Sequence, residues 1–581
     1  MKFLLTAVNA KYIHSNPAVY SLRGFVEEKK RAHVEIAEYT INHRLEDILG
    51  DIYRQKPDVV AFSCYIWNWE MIQDIILELN KILPEVPIWL GGPEVSFDAP
   101  QILERFPMVT GIMVGEGEQT FCELLEYYVN QGTSQKGLLN LQDIPGLVLH
   151  SGATAEREMT RLSEIPFLYH DMAPFENRII YYESSRGCPY RCSYCLSSID
   201  KKLRLRDIEI VKKELQFFLE QKVPQVKFVD RTFNCDHNHA MAIWQYITDN
   251  DNGVTNFHFE ISADILRADE IELLGKMRPG LVQLEIGVQT TNPQTLKEIR
   301  RNMDLEKLET NVAKIHEGGN IHQHLDLIAG LPYEDYESFK NSFNRVYRMK
   351  PQQLQLGFLK VLKGSYMHEK AEDYGLVYRS KPPYEVLYTN WLTYGDVLRL
   401  KKIEEMVELY YNSNQFTHTL PILEQAFESP FMLFEKLADF YEEKGYFVSS
   451  PARAYRYQVL LDFAVEKDAS QEDLYKESLT YDMYLRENLK SRPGFAADLT
   501  ARKDEIRSFY KAEEESRTYL PSYGQYDSKQ LSKMTHLEVF RYPVWDSNVE
   551  ADGQTYYVLF DYRERSPLTG EARTVLVELP G

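Results

Sequence analysis

The chain has 581 residues, a formal net charge of −21 at pH 7 and a hydrophobic content of 44%. This acidity argues against binding to a nucleic-acid backbone, which requires a basic surface. No apolar run approaches the about 20 residues of a membrane-spanning helix, and the opening strand-like run Met1–Leu5 is too short for a signal peptide. These features predict a cytoplasmic globular protein of about three to four domains.

Residues 1–135 alternate apolar, strand-like runs with helical patterns, which predicts a doubly wound domain around a parallel sheet. Ligands bind such sheets at the carboxyl ends of the strands. Three polar or glycine-rich segments fall there: Ser63, Gly91-Gly92-Pro93-Glu94 and Gly115-Glu116-Gly117-Glu118. Glycine lets the backbone approach a ligand closely, although such pairs are also common in tight turns. No dinucleotide fingerprint or phosphate loop is present.

Residues 136–177 contain several turn signals and one predicted strand, and are interpreted as a linker. The strand-like run Ile179–Glu183 follows, and then three cysteines within eight residues, Cys188, Cys192 and Cys195. Thiolates suit iron–sulfur clusters, copper(I) or zinc. Most iron–sulfur clusters use four thiolates, so a cluster held by these three keeps one iron open. The alternatives are a zinc site, for which no second Cys/His pair is found, and a disulfide framework, which the predicted compartment disfavours.

Residues 178–375 repeat a strand-then-helix pattern, and six strands predict an open partial (β/α)6 barrel. Polar residues at the carboxyl ends of barrel strands are typical of site residues. Here they are Asp230, Ser262, Asp264, Glu285, Gln289, His324 and Asp326. Asp230 and Asp264 are equally consistent with helix capping. Glu285 and Asp326 interrupt apolar runs, and because a buried unpaired carboxylate is costly, each needs a partner or a ligand.

Two basic features lie in this domain. Arg300 follows the helix after Gln289 and is either a bidentate partner for a carboxylate or part of a solvated helix end. The run Lys201–Arg206 is either a solvated face or a site for an anionic substrate group. Residues 376–581 carry no recognisable chemical motif and are predicted to be mostly helical, with a terminal β-hairpin.

The cysteine spacing, with the aromatic Tyr194 between the second and third cysteines, resembles the signature of the radical SAM enzymes. That resemblance implies a [4Fe–4S] cluster on Cys188, Cys192 and Cys195. It also implies S-adenosylmethionine on the open iron, and reductive cleavage of this cofactor to a 5′-deoxyadenosyl radical. The stretches Leu284–Gln289 and Asp326–Pro332 resemble family segments that surround S-adenosylmethionine. The resemblance thus assigns Tyr194 and the polar strand-end residues, with Arg300, to the S-adenosylmethionine side.

The glycine-rich segments of residues 1–135 together resemble the cobalamin-binding domain that precedes many radical SAM enzymes. The resemblance implies that Ser63, Gly91–Glu94 and Gly115–Glu118 line the cobalamin site. One departure is the absence of the Asp-x-His-x-x-Gly motif that supplies a histidine ligand to cobalt in classical cobalamin enzymes. His14 lies in the corresponding loop, and a polar loop residue is the more common role for such a histidine.

The combined resemblance predicts a cobalamin-dependent radical SAM enzyme, and methyl transfer to an unreactive carbon is the commonest implied activity. A cyclase or rearrangement enzyme with the same cofactors is the alternative. A methylthiotransferase needs a second cysteine-ligated cluster, and only Cys64 and Cys122 lie in the first domain. A non-catalytic cobalamin or redox sensor is disfavoured by the polar strand ends. The expected partners are a small-molecule substrate and an electron donor such as flavodoxin or ferredoxin.

Overall fold

The computed structural model describes residues 1–28, 34–130, 140–546, 549–550 and 553–579. Residues 131–139, where the predicted first domain meets the predicted linker, lie outside the described ranges. The chain forms two compact units. The first contains Met1–Ile315, Ile328–Asp335 and Phe358–Tyr394, and the second contains His316–Leu327, Tyr336–Gly357 and Gly395–Gly581.

The first unit begins with a seven-stranded sheet in the order β2-β1-β3-β4-β5-β6-β7. Its strands are β1 Phe3–Asn9, β2 Val34–Thr40, β3 Val59–Ser63, β4 Ile88–Gly91, β5 Val109–Met113, β6 Leu147–Leu149 and β7 Gly152–Ala153. The first five are parallel and the last two antiparallel. The helices are α1 Pro17–Glu28, α2 Leu45–Gln55, α3 Trp69–Ile82, α4 Pro93–Ser96, α5 Ala99–Arg105 and α6 Gly117–Asn130.

Burial explains why this first sheet forms. Every residue of β1 is buried, as expected for a central strand with helices on both faces. Helix α3 buries Ile72, Ile75, Ile76 and Leu79, the spacing of one helical face. The strand order changes direction between β1 and β3, and the crevice at the carboxyl ends of those strands is where such sheets bind ligands.

A second parallel sheet follows in the first unit, with β8 Ile180–Tyr182, β11 Gln225–Phe228, β12 Asn256–Ile261 and β13 Val282–Gln289 as consecutive neighbours. A short antiparallel pair, β9 Ser185–Arg186 and β10 Arg204–Leu205, lies beyond β8. The helices are α7 Ile208–Glu220, α8 His237–Asp249, α9 Ala268–Gly275, α10 Pro293–Glu298 and α11 Leu305–Gly318. Along β13 buried apolar residues alternate with more exposed polar residues, so one face of this strand is polar.

The remaining two predicted barrel strands are present as β14 His322–Ala329 and β15 Gln353–Phe358, separated by α12 Tyr336–Tyr347. They are neighbours and lie mainly in the second unit. The first unit also includes α13 Tyr366–Glu369, β16 Val377–Tyr378 and β17 Val386–Tyr388. Hydrophobic residues of this segment pack against Ile299 and Tyr194. The first unit therefore extends to Tyr394, beyond the predicted domain boundary at residue 375.

The rest of the second unit is mainly helical, as predicted. Its helices are α14 Tyr394–Met406 with a π-helical turn at Val407–Asn412, α15 Thr419–Glu424, α16 Pro430–Glu443, α17 Arg456–Lys467, α18 Glu472–Arg486, α19 Lys503–Ser516 and α20 Ser528–Met534. The predicted hairpin is confirmed as β19 Tyr556–Arg565 and β20 Ala572–Val577, and β18 Thr535–Phe540 adds a third antiparallel strand. In the described ranges, no helix is both long enough and apolar enough to cross a membrane.

Candidate functional site

The three clustered cysteines lie in the loop between β9 and β10. The loop is closed at its base, where the backbone N–H of Cys188 donates to the carbonyl of Asp200 at 2.9 Å. Gly187 precedes it with φ +91°, and a Cβ there would lie 2.4 Å from the carbonyl oxygen of Lys202. Glycine is therefore required for the two sides of the loop to approach this closely.

The side chains of the three cysteines are buried or partly buried. Cys188 and Cys192 are 8% exposed, and Cys195 is partly exposed. Burial raises the pKa of Cys188, and the nearby thiols of Cys195 and Cys192 raise it further. Within the described ranges, no cysteine belongs to a group of three ligand atoms within 4.8 Å of one another. A zinc ion with bonds of about 2.3 Å needs such close sulfurs, so the three thiols are not arranged as a closed zinc site.

Arg301 is the charged residue that contacts the cysteine loop. Its Nη1 donates to Cys192 Sγ at 3.8 Å and to Tyr194 OH at 3.3 Å. Its Nη2 donates to the carbonyl of Gly287 on β13. Arg300, the arginine proposed from the sequence, instead stacks its guanidinium over the ring of Tyr366 at 3.5 Å. Sequence spacing alone cannot distinguish two adjacent arginines, and the backbone turn at Arg300, with φ +56°, sends their side chains in different directions.

Two buried polar atoms beside the cysteine loop have no hydrogen-bond partner among the described residues, Gln289 Oε1 and Arg301 Nε. Both side chains approach Gly287, where an added Cβ would be 2.3 Å from Gln289 Nε2 and 3.5 Å from Arg301 Nη2. An orphaned acceptor and an orphaned cationic donor are complementary to an ammonium and a carboxylate, respectively. The site therefore fits the amino-acid end of S-adenosylmethionine.

Asp230 follows β11 and is 1% exposed. Its carboxylate accepts hydrogen bonds from Ser184 N at 3.0 Å, Ser184 Oγ at 2.7 Å and Ser185 Oγ at 2.5 Å. Burial raises its pKa from 3.8 to about 6, against the lowering effect of these bonds. The side chain is thus engaged with the segment that leads into the cysteine loop.

The raised pKa of Asp230 makes the stability of the protein depend on pH. Because the folded state holds this proton more tightly than the unfolded chain, the free energy of unfolding should fall from about pH 4 to about pH 6 and then level off. An Asp230→Asn variant lacks this titration. Its free energy of unfolding relative to wild type should therefore rise by about 2 kcal/mol between those pH values. Urea unfolding at each pH measures this, and a difference that stays constant with pH would contradict it.

Ser262 and Asp264 follow β12 and are bonded to each other and to their surroundings. Ser262 Oγ donates to Asp264 Oδ1 at 2.6 Å, and the amide of Asn234 bonds both backbone groups of Ser262. The backbone N–H of Asp304 donates to Asp264 Oδ2 at 3.2 Å. These contacts hold together the loops after β11, β12 and α10.

Glu285, which was predicted to need a partner or a ligand, lies beside two basic side chains. One of its oxygens lies 3.2 Å from Lys227 Nζ and 3.0 Å from His258 Nε2, and the three residues occupy three adjacent strands, β13, β11 and β12. In the second unit, His324 Nε2 lies 3.0 Å from Asp326 Oδ1. Glu285 therefore lies beside a cation, Lys227, and Asp326 lies beside a histidine that pairs with it when protonated.

A cavity of about 810 Å³ extends from the carboxyl ends of the first sheet to the cysteine loop, all within the first unit. Its wall includes Asn9, Gly115–Glu118, Tyr181, Arg186 and Gly187, the residue directly before Cys188. This volume lies in the range of small-molecule and cofactor sites. The structure thus joins the predicted cobalamin segment and the predicted cluster loop in one cavity.

Two aromatic residues that the sequence did not single out line this cavity. Tyr65 and Trp67 follow β3, and their rings stack at 4.4 Å with an interplanar angle of 8°. Trp67 Nε1 donates to the carbonyl of Val8 at 3.2 Å, which fixes the indole against β1. A fixed aromatic surface offers apolar contact area to a large ligand such as a corrin with its methyl groups.

His14 lies in the loop after β1 and also lines the cavity. Its Nδ1 lies 2.6 Å from the hydroxyl of Tyr181 on β8. Burial lowers the pKa of His14, and the positive charges of Lys11 and Lys227 lower it further. The imidazole is therefore held neutral between the two sheets of the first unit.

The glycine segment after β4 is required for packing of the first sheet. Gly91 O accepts a hydrogen bond from Cys64 N at 2.7 Å. Gly92 has φ +110°, and a Cβ there would lie 2.4 Å from Cys64 O. At the neighbouring strand end, Ser63 Oγ accepts from Asn16 Nδ2 at 3.3 Å. Pro93 follows as the first residue of α4 and lines the cavity.

Gly92→Ala is expected to lower the free energy of unfolding by about 2–4 kcal/mol, because backbone strain and the clash with Cys64 O add together. Gly115→Ala is the matched control. Gly115 also has positive φ, +77°, but nothing lies within 4 Å of an added Cβ. The Gly115→Ala variant should lose about 1 kcal/mol of the free energy of unfolding. Equal losses in urea unfolding of the two apo variants would contradict the packing role of Gly92.

The three predicted cobalamin-side glutamates bind protein groups. Glu94 is 7% exposed and accepts a hydrogen bond from the hydroxyl of Tyr384. Glu116 and Glu118 lie 3.3 and 3.1 Å from the guanidinium of Arg186 on β9. The two ion pairs with Arg186 connect the loop after β5 to the start of the cysteine loop.

The basic run Lys201–Arg206 contributes to the same connection. Arg204 pairs with Glu116 at 2.6 Å, and Arg206 pairs with Glu214 at 2.5 Å. Both arginines are therefore engaged in ion pairs within the first unit. The alternative in which they bind an anionic substrate group receives no support from these contacts.

Three family models match the chain. Residues 4–125 match the B12 binding domain, residues 182–346 match the Radical SAM superfamily, and residues 372–560 match DUF4080, a protein family of unknown function. The first two matches contain the strand ends of the first sheet and the cysteine loop.

Curated relatives are similar at low identity. The cobalamin-dependent radical SAM methyltransferase TokK of Streptomyces tokunonensis is 26% identical over 347 residues, 55% of this chain and 50% of TokK. Hopanoid C-3 methylase of Methylococcus capsulatus is 26% identical over 275 residues, 45% of this chain and 51% of that protein. An anaerobic magnesium-protoporphyrin IX monomethyl ester cyclase of Rubrivivax gelatinosus is 22% identical over 346 residues, 57% of this chain and 61% of that protein. The chain spans about half the length of the curated relatives it matches.

Two solved structures have a similar fold. The radical S-adenosylmethionine methyltransferase TsrM of Kitasatospora setae, with cobalamin and a [4Fe–4S] cluster bound, gives a TM-score of 0.54 at 18% identity. The match covers 65% of this chain and 79% of TsrM. The cobalamin-dependent S-adenosylmethionine radical enzyme OxsB gives a TM-score of 0.58 at 15% identity. The match covers 82% of this chain and 80% of OxsB. The predicted α/β fold class is confirmed. The chain joins a B12-binding domain to a radical SAM domain and a C-terminal DUF4080 region, which implies cobalamin, a [4Fe–4S] cluster and S-adenosylmethionine as cofactors.

Proposed function

We propose that the protein is a cobalamin-dependent radical SAM methyltransferase that acts on an unreactive carbon of a small molecule. The observation that carries this proposal is the cavity that runs from the strand ends of the first sheet to the residue before Cys188. A methyl donor on the first sheet and a radical source on the cysteine loop would then face the same space. The methyltransferase relatives TokK and hopanoid C-3 methylase support the choice of reaction.

On this proposal, Cys188, Cys192 and Cys195 hold the cluster through three thiolates. With only three thiolates, the site would leave one iron available to the amino-acid end of S-adenosylmethionine. Arg301 Nε and Gln289 Oε1, both buried and without a partner among the described residues, hold the carboxylate and the ammonium of that cofactor. When bound, the cluster supplies the electron that cleaves S-adenosylmethionine to a radical, and cobalamin supplies the methyl group.

Other residues of the site position these groups. Asp230 braces the two serines before the cysteine loop, and Ser262 and Asp264 hold the loops after β11, β12 and α10. Glu116 and Glu118 bind Arg186, so we propose that they align the first sheet with the cysteine loop. We retain Ser63, Gly91–Pro93, Gly115 and Gly117 for the cobalamin side, because these segments follow the strand ends.

For the remaining S-adenosylmethionine-side residues, Tyr194, Glu285, His324, Asp326 and Arg300, the assignment stays a prediction. The same holds for Glu94 and for the domain boundaries at residues 135, 177 and 375. An electron donor such as flavodoxin or ferredoxin is part of the proposal, because the cluster must be reduced before each cleavage. A small-molecule substrate is consistent with the methyltransferase relatives.

A cyclase or rearrangement enzyme is the second candidate, favoured by the similarity to the magnesium-protoporphyrin cyclase. It would use the same cofactor sites. A methylthiotransferase is disfavoured, because Cys64 and Cys122, which would belong to a second cluster, are 0% and 1% exposed in the core of the first domain. Cys64 Sγ donates to Phe62 O at 3.6 Å.

The test is anaerobic reconstitution of the full chain with iron, sulfide and cobalamin, followed by reduction in the presence of S-adenosylmethionine carrying a deuterated methyl group. We expect both cofactor chromophores and release of 5′-deoxyadenosine. A deuterated methyl group in a product from a metabolite screen would support methyl transfer. A cyclised product without the label would favour the second candidate. No 5′-deoxyadenosine from fully loaded, reduced protein would overturn the radical mechanism.

A further inference from the structure

The three cysteine sulfurs have different hydrogen-bond environments. Cys188 Sγ lies 3.9 Å from the hydroxyl of Thr232, a neutral group. Cys192 Sγ accepts from the guanidinium of Arg301 at 3.8 Å. No donor contacts Cys195 Sγ in the part of the chain that the structure describes. One of the three sulfurs therefore faces a permanent positive charge, because arginine stays protonated in proteins.

The guanidinium of Arg301 is held in this position from several sides. The backbone N–H of Arg301 donates to Leu296 O at 3.0 Å, which ties the residue to the end of α10. Nη2 donates to the carbonyl of Gly287, and Nη1 also donates to the hydroxyl of Tyr194. Since both terminal nitrogens are engaged, the contact with Cys192 is a fixed feature of the loop rather than one of many rotamers.

A fixed cationic donor to a thiolate has a predictable electrochemical effect. Reduction adds one electron to an iron–sulfur cluster and increases the negative charge on its sulfur ligands. Hydrogen bonds and positive charge at those sulfurs favour the reduced state and raise the reduction potential. A charged hydrogen bond is stronger to the more negative, reduced cluster than to the oxidised one, and we expect this difference to change the reduction equilibrium about tenfold.

We propose that Arg301 raises the reduction potential of the cluster through its N–H···S hydrogen bond to Cys192. The electron comes from an external one-electron reductant and no bond is made or broken in this step. The role rests on the proposed function, because it requires a cluster on the three cysteines. It is separate from binding of S-adenosylmethionine, since the contact exists in the protein alone.

The experiment is a redox titration of the reconstituted full chain without S-adenosylmethionine, in which the electron paramagnetic resonance signal of the reduced cluster reports the midpoint potential. Arg301→Gln removes the charge, and Arg301→Lys keeps the charge but loses the planar group that bonds sulfur and carbonyl together. The matched control is Lys297→Gln, which removes a positive charge from the exposed side of α10.

We expect a more negative midpoint potential for Arg301→Gln, with about a tenfold change in the reduction equilibrium. Arg301→Lys should shift less, and Lys297→Gln should match wild type. Equal midpoints in wild type and Arg301→Gln would overturn the proposal. If both Arg301 variants lose the cluster while the control keeps it, Arg301 acts in assembly and the proposal also fails. A wild-type chain that binds no cluster would instead refute the proposed function itself.

Discussion

Replacing Cys192 with alanine is expected to remove nearly all cluster iron and its visible absorbance while leaving the cobalamin absorbance in place. Cys192 is buried between Cys188 and Cys195 in the loop, and the two remaining thiolates are too few to retain a four-iron cluster. The proposed cobalamin residues lie on the first sheet, which this change does not touch. Iron and sulfide analysis with ultraviolet–visible spectra of the reconstituted variant measures both outcomes.

Cys235→Ala is the matched control for this experiment. Cys235 follows β11 outside the cysteine loop, and burial together with the neighbouring Cys188 raises the pKa of its thiol to about 11. The variant should keep the iron content of wild type. Retention of the cluster in Cys192→Ala combined with its loss in Cys235→Ala would replace Cys192 by Cys235 in the ligand set.

Arg301→Gln is expected to weaken binding of S-adenosylmethionine about 10- to 100-fold. The buried Nε of Arg301 has no partner among the described residues, and a carboxylate bonded to it gains about 1.5–3 kcal/mol from a charged hydrogen bond. Glutamine retains a polar group but neither the charge nor the forked geometry. Titration of the cluster's electron paramagnetic resonance spectrum with S-adenosylmethionine gives the affinity.

The same substitution at Arg300 distinguishes the two adjacent arginines. Arg300 is exposed and stacks on Tyr366, so Arg300→Gln should change the affinity for S-adenosylmethionine by less than about threefold. A large loss at Arg300 with little change at Arg301 would restore the prediction made from the sequence and contradict the assignment made from the geometry.

The contacts of the cobalamin-side glutamates change how that site is understood. Glu94, Glu116 and Glu118 are bound by Tyr384 and Arg186, so their carboxylates are satisfied by the protein itself. The cavity wall also includes Gly115, Gly117, the aromatic pair Tyr65 and Trp67, and polar residues such as Asn9 and Arg231. We therefore expect these groups, rather than the three glutamates, to contact cobalamin.

Features with a local signature could be predicted from the sequence. The cysteine spacing of Cys188, Cys192 and Cys195 predicted a cluster loop, and alternating strands and helices predicted both parallel sheets, which the structure confirms. For Glu285, the sequence predicted only that the carboxylate needs a partner or a ligand, without identifying one. That Lys227 and His258 meet this need depends on the register of three neighbouring strands.

By itself, the sequence predicted the fold class, because hydrophobic periodicity is a local property of a chain, and its resemblance to known families predicted the cofactors and the loop proposed to carry the cluster. Only the tertiary structure decided that Arg301 rather than Arg300 contacts Cys192, and that Glu116 pairs with Arg204. Those outcomes depend on a single backbone turn and on contacts between residues far apart in the chain. Residue type and spacing do not encode where a side chain points after folding.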